Sequence, residues 1–332
     1  MRALITGGAG YLGRHLARKL ASAGTPVTVL DDLSCANSRL DVAELDHPNI
    51  RAVHGSTLDA GLVSTLLGSH RIVVHFASVV GVEETIRQPV ETVRNLQGTL
   101  NVIERLTDTH VAVFGSSADV YGLHSRVYDR EMREDDLQVF EHAGVNRWAY
   151  AKVKALEELL FSTSAARVMN IRFFNCYGPY MDQPYPKRVV PQFVGQVLRH
   201  EPLRVSGDGT QTRTLCYFQD LVDGVAAAID WLAGQRGRVD ATINLGGTET
   251  LTVLEIADAV QRAAIELGLI EQPLPVETGA QMYSRPFDDG WHRVPDIRRA
   301  RELFGYEPRV PLAEGLRRTL AIHHRSAVHE SR

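Results

Sequence analysis

The chain has 332 residues, 44% of them hydrophobic and 23% charged, with a formal net charge of -4. These values fit an ordinary globular protein with a sizeable interior, built as one large domain or as a core domain with a smaller companion. The slightly acidic balance leaves no electrostatic footprint for nucleic acid, and no apolar run approaches the roughly 20 residues that span a bilayer, so neither partner is expected.

Cys35, Cys176 and Cys216 lie far apart without a CxxC pair. That spacing suggests neither a disulfide framework nor a metal cluster, and it fits a reducing cytoplasm. The opening "MRALITGGAG" runs directly into a strand and a glycine turn, so no signal peptide is expected.

In chain order, apolar runs predict strands at 3–6, 27–30, 50–54, 72–77, 111–116 and 168–175. Residues 11–24, 91–106 and 149–163 lie between them and carry apolar side chains at three- and four-residue spacing, the mark of amphipathic helices. Strands alternating with helices predict an α/β fold, a doubly wound parallel sheet of Rossmann type over residues 1–175. Beyond Asn175 the Pro- and Tyr-rich "YGPYMDQPYP" is followed by helix patterns at 189–200, 218–234, 252–268 and 312–324 and one strand pattern at 241–246. Residues 176–332 are therefore expected to form a smaller mixed lobe that closes over the sheet's edge, with too little sheet for a second full core and with the chain interleaving between the two parts.

"LITGGAGYLG" places Gly7, Gly10 and Gly13 between the first strand and the first helix. Glycines at that junction allow a tight turn and the close approach of backbone to a pyrophosphate at a helix N-terminus. Asp31 closes the second strand, where a carboxylate accepts hydrogen bonds from an adenosine ribose and repels a 2'-phosphate; the pattern favours NAD over NADP. Tyr150 and Lys154 share a helix face at i and i+4, and a nearby ammonium is expected to lower a phenol's pKa toward working pH. Ser117 ends the fifth strand, the sheet edge where open α/β folds hold ligands, and is placed to relay a proton to Tyr150.

Taken together, these stretches resemble the extended short-chain dehydrogenases/reductases that act on nucleotide sugars as epimerases, dehydratases and decarboxylases. "TGGAGYLG" resembles their cofactor turn, "VVHFAS" their fourth strand, "FGSSADVYG" their catalytic strand end, "YAKVK" their tyrosine-lysine motif and "RFFNCYGP" their sugar-nucleotide loop. "VSGDGTQTRTLCYFQDLVDGV", "INLGG" and "HRVPDIRRARELFGYEPRVPLAEGLRRTL" resemble the lobe that binds the nucleoside diphosphate.

The resemblance implies Ser117, Tyr150, Lys154 and Asp119 as catalytic residues. It implies NAD held by Gly7, Gly10, Tyr11, Leu12, Gly13, Asp31, Asp32, Ser34, Ser56, Thr57, Ala77, Tyr150 and Lys154, and a nucleotide sugar held by Ser116, Ser117, Asn175, Arg188, Val189, Arg213 and Arg293. Ser56 stands where the family often has an acidic residue near the adenine. Tyr180, Met181 and "DQPYPKR" are expected to shape the sugar pocket, and the helices at 91–106 and 149–163 to pair across a homodimer.

Three reactions share an oxidised 4-keto sugar. Dehydration is disfavoured because Ala118 and Asp119 stand where the family's dehydratases carry an Asp-Glu pair. Decarboxylation is weakened because Asp119 is one methylene, about 1.5 Å, shorter than the family's glutamate. A UDP-glucose or UDP-glucuronate 4-epimerase asks only for Ser117, Tyr150 and Lys154. It is the expected activity, with UDP-glucuronate decarboxylation second.

Overall fold

In this computed structural model residues 1–35, 38–39, 41–79, 85–86, 89–142, 146–181, 188–280 and 292–330 are described. Six strands come first: β1 (Ala3–Thr6), β2 (Val27–Asp31), β3 (Ile50–His54), β4 (Ile72–His75), β5 (Val111–Ser117) and β6 (Arg167–Phe173). Four short ones follow, β7 (Cys176–Tyr177), β8 (Leu203–Ser206), β9 (Thr212–Thr214) and β10 (Cys216–Tyr217). β11 (Asp240–Leu245) returns to the main sheet, and β12 (Thr250–Thr252), β13 (Val276–Ala280) and β14 (His292–Arg293) complete the set. The helices are α1 (Tyr11–Ser22), α2 (Ala60–Leu67), α3 (Pro89–Ile103), α4 (Ala149–Thr163), α5 (Val189–Leu198), α6 (Phe218–Gly234), α7 (Val253–Glu266), α8 (Arg298–Phe304) and α9 (Leu312–Glu330).

The main sheet has seven strands in the order β11-β6-β5-β4-β1-β2-β3, all parallel. Strands buried on both faces read as continuous apolar runs, and β1, β2 and β4 are buried along their whole length. One face packs against α1 and α6 through Leu16, Leu20, Leu221, Val225 and Ile229. The other packs against α2, α3 and α4 through Val63, Leu66, Val102 and Phe161. Strand order reverses between β1 and β4, which opens a crevice at the carboxyl ends of these strands.

Two features differ from the sequence expectation. Residues 60–67 form α2, capped by the Asp59 carboxylate, which accepts from the Gly61 and Leu62 nitrogens. The C-terminal part also holds an apolar cluster of its own, including Phe193, Val197, Ile256, Val260, Leu316 and Leu320. Helices α5, α7 and α9 build that core, so the scarcity of strands there did not limit it. Three small sheets, β12-β9-β14, β10-β7 and β13-β8, lie in the same region.

Phe161 of α4 is fully buried and stacks on Phe114 of β5 at 4.7 Å between ring centroids. Replacement Phe161→Ala leaves a cavity under α4 and is expected to cost about 3–5 kcal/mol, read as a lower urea midpoint at unchanged m-value.

Candidate active site

At the end of β1 the chain turns through Gly7 at φ +65°. A Cβ there would lie 2.5 Å from the Ala77 nitrogen, so steric contact with β4's extension and the left-handed backbone both require glycine. A Cβ on Gly13 would lie 2.5 Å from the Gly7 oxygen, so α1 packs directly on the turn. Gly10 precedes α1 and no side chain caps the helix. The uncapped N–H groups and the helix dipole make a seat for an anion such as a pyrophosphate. Leu12 packs into the core and Tyr11 is buried against Phe218, which leaves their backbone N–H groups for that role.

Asp31 and Asp32 stand at the carboxyl end of β2. The Asp31 carboxylate accepts from the Ala9 nitrogen at 3.0 Å and the Leu33 nitrogen at 2.9 Å, tying the turn to β2. Asp32 accepts from the Ser34 nitrogen and the Ser56 hydroxyl, each at 3.0 Å. Burial opposes its charge, but these bonds from Ser34 and Ser56 outweigh it and hold Asp32 below the usual carboxylate range. Thr57 sits against Gly98 of α3, where a Cβ would strike its hydroxyl. The glycine turn, the uncapped α1 and the two carboxylates fit a dinucleotide with an unphosphorylated adenosine ribose.

Ser117, Asp119, Tyr150 and Lys154 come together at the carboxyl end of β5 and the first turns of α4. The Ser117 hydroxyl accepts from the Asp119 nitrogen at 3.2 Å and hydrogen-bonds the Tyr150 phenol. The electrostatics correct the sequence expectation for Tyr150. Burial first, then the charges of Asp119 and Glu157, push its phenol well above the ordinary tyrosine value; Arg188 and Ser117 oppose them. Lys154 does not reverse this, because its Nζ lies 3.2 Å from the Glu157 carboxylate and 5.8 Å from the Tyr150 ring centroid.

Ser116 is also corrected. Alternation along β5 turns its side chain to the face opposite Ser117, where the hydroxyl donates to Glu158 at 2.5 Å beside Arg172. It is withdrawn from any sugar.

Asn175, two residues beyond β6, keeps a buried side-chain nitrogen without a hydrogen-bond partner among the described residues. Arg188 precedes α5 and acts on Tyr150, whereas the Val189 side chain packs into the C-terminal core. Arg213 and Arg293 are register partners on the parallel strands β9 and β14. Arg213 donates to the Thr212 carbonyl oxygen at 2.8 Å, and Arg293 is engaged with the Asp119 carboxylate at 2.7 Å. Residues 182–187 of the expected sugar loop lie outside the described residues.

Sequence reasoning missed Arg147, three residues before Tyr150 and nearly buried. Its guanidinium lies 3.2 Å from Asp119, and Arg293 lies 2.7 Å from the same carboxylate oxygen. Burial works against the Asp119 charge, yet Arg147 and Arg293 hold it ionised far below the usual carboxylate range. The available signal was the three-residue spacing from Arg147 to Tyr150, which puts both on one face of the helix start.

Residues 3–246 match the NAD dependent epimerase/dehydratase family. The chain belongs to that family. Its cofactor is NAD, in keeping with the turn and the paired carboxylates. The UDP-N-acetyl-alpha-D-glucosaminuronate decarboxylase of Bacillus cytotoxicus is 32% identical over 325 residues, 96% of each chain. The UDP-glucuronic acid decarboxylase 1 of Danio rerio is 29% identical across 99% of this chain and 74% of its own length. Among solved structures, MoeE5 in complex with UDP-glucuronic acid and NAD superposes with a TM-score of 0.78 at 27% identity, over 98% of this chain and 100% of that one. This family member has no helix, among the described residues, long and apolar enough to cross a membrane.

Replacement Gly7→Ala brings a methyl group against Ala77 and strains the turn. Bound NAD, measured by chromatography of the denatured protein's supernatant, is expected to fall at least about tenfold while far-ultraviolet circular dichroism stays unchanged.

Proposed function

We propose that this member of the family is an NAD-dependent decarboxylase of a UDP-activated uronic acid, of the glucuronate or N-acetylglucosaminuronate type. The cluster of Arg147, Asp119 and Arg293 beside Ser117 and Tyr150 carries this reading. The two guanidinium groups gathered there are of the type that holds a sugar carboxylate through paired, charge-assisted bonds, at a largely buried place next to the reacting tyrosine. The names of the two curated relatives point the same way.

Bound NAD supplies the hydride acceptor at C4 and later returns the hydride. Tyr150 takes the C4 hydroxyl proton, with Ser117 relaying between them. The C5 carboxylate then lies β to a carbonyl: its bond to C5 breaks, carbon dioxide leaves, and the electron pair moves onto the C4 oxygen as an enolate. C5 takes up a solvent proton, and Tyr150 gives its proton back to the C4 oxygen. Asp119, held ionised, is no proton donor. It orients Arg147 and Arg293, and its repulsion of the substrate carboxylate is relieved as neutral carbon dioxide forms.

The 4-epimerase preferred from sequence stands second. One observation favours it: Asp119 has the shorter arm, and epimerisation needs no group there. Arg293 reaches that arm at 2.7 Å, which supports a role for Asp119 as the anchor of the two guanidinium groups in decarboxylation.

α3 and α4 lie side by side and leave Val90, Val93, Leu156 and Leu159 exposed. That apolar strip is the surface on which two copies pair as a homodimer. Three cysteines outside any disulfide, among the described residues, suit a cytoplasmic setting.

Incubation with UDP-glucuronate and with UDP-N-acetylglucosaminuronate, without added NAD, followed by proton NMR and mass spectrometry, tests the reaction. Loss of carbon dioxide is expected; inversion at C4 with unchanged mass would establish the epimerase instead. Replacement Arg147→Met should lower kcat/KM for the uronate about a hundredfold, ~2.7 kcal/mol. Replacement Leu159→Asp is expected to give a monomer by sedimentation velocity.

A further inference from the structure

Behind the catalytic face of α4 runs a row of buried polar groups that the proposed reaction does not use. Lys154 Nζ lies 3.2 Å from Glu157 Oε2, and Glu157 Oε1 accepts from the Thr99 hydroxyl at 2.5 Å. The Thr99 oxygen lies 3.0 Å from His75 Nε2, and His75 Nδ1 lies 2.7 Å from the Thr6 oxygen. The row thus crosses α4, α3, β4 and β1 and ends at the residue before Gly7. Glu157 has no exposed surface and Lys154 almost none.

A carboxylate out of water is costly unless a cation neutralises it. Here the cation is the lysine of the tyrosine-lysine couple. Its ammonium has two claimants: the Glu157 carboxylate at 3.2 Å and the phenol of Tyr150, whose ring centroid is 5.8 Å away. An anion in direct contact attracts an ammonium more strongly than a neutral phenol does.

We propose that Glu157 is a positioning residue that holds the Lys154 ammonium on its own carboxylate, weakens that ammonium's pull on the Tyr150 phenol, and so sets the pH at which the base becomes available. The inference rests on Tyr150 being the base, and it holds whichever sugar is the substrate. The groups that face Tyr150 are Lys154 and Glu157 on its own helix, Ser117 at the end of β5 and Asp119 after it, and Arg188 ahead of α5, with Arg147 just before α4 and Arg293 of β14 acting through Asp119. Glu157 faces Lys154 on its helix, Thr99 of α3 and, through Thr99, His75 of β4. His75 stays neutral there, since burial and then Lys154 bring its pKa down to about 3.

Carbon-13 NMR of Cζ-labelled tyrosine in the purified NAD-bound protein, with Tyr150→Phe to assign the resonance, reads the ionisation directly and needs no substrate. In Glu157→Gln the Tyr150 resonance should titrate at least about one pH unit lower than in the unsubstituted protein, a tenfold rise in acidity. Adding Lys154→Met to Glu157→Gln should return the part of that shift that passes through the ammonium, leaving the part owed to the Glu157 charge itself. Glu157→Asp, which keeps the charge on a shorter arm, should move part of the way and serves if the glutamine variant fails to fold. The acid limb of the kcat/KM profile should follow the resonance. A folded Glu157→Gln or Glu157→Asp protein whose Tyr150 titrates where it did before would overturn the proposal, as would a shift that survives Lys154→Met undiminished. Failure of the decarboxylase reading alone would leave the NMR result in place.

Discussion

Asp119 and Arg293 are 174 residues apart in sequence and 2.7 Å apart in space. Through that contact the turn after β5 meets β14, which belongs to a small sheet outside the seven-stranded one. Arg293 is further fixed by the strand pairing of β14 with β9 and by the backbone bonds of Met132 to Val294 and Asp296. Arg147 reaches the same carboxylate from the start of α4. One ionised Asp119 therefore sets three separately folded segments into a single site, and everything else about that site depends on its staying charged.

The same cluster shows what a sequence can and cannot display. The strands at 3–6 and 50–54 stand where short runs of strand-forming residues put them, and the helices at 149–163 and 218–234 stand where their three- and four-residue apolar spacing puts them. The helix at 60–67 was missed since eight residues barely repeat that period, and β7, β9, β10 and β14, at two or three residues each, are too short to alternate at all. Ser117, Tyr150 and Lys154 were legible because they lie within short local motifs. Arg147 was not, although it stands in the same "NRWAY" stretch: a lone arginine has no chemistry until Asp119 and Arg293 fold beside it.

Local proximity also misled. Tyr150 and Lys154 do share a helix face, but Glu157 shares it too, and spacing alone does not say which neighbour the ammonium chooses. Burial decides, since a carboxylate removed from water binds a cation more strongly than a neutral phenol does. Ser116 gives the complementary lesson. Adjacent to Ser117 in sequence, it faces the other side of β5 and belongs to the Glu158 and Arg172 cluster.

Arg213 and Arg293 stand at matching register positions on adjacent strands, and under the proposed function the pair answers to charge and not to the identity of a sugar. Any nucleoside diphosphate would then compete for it, spent product included. Because Arg293 also holds Asp119, a ligand seated on the pair under that reading bears directly on the Asp119 cluster, and spent product left there acts as a brake on the next turnover.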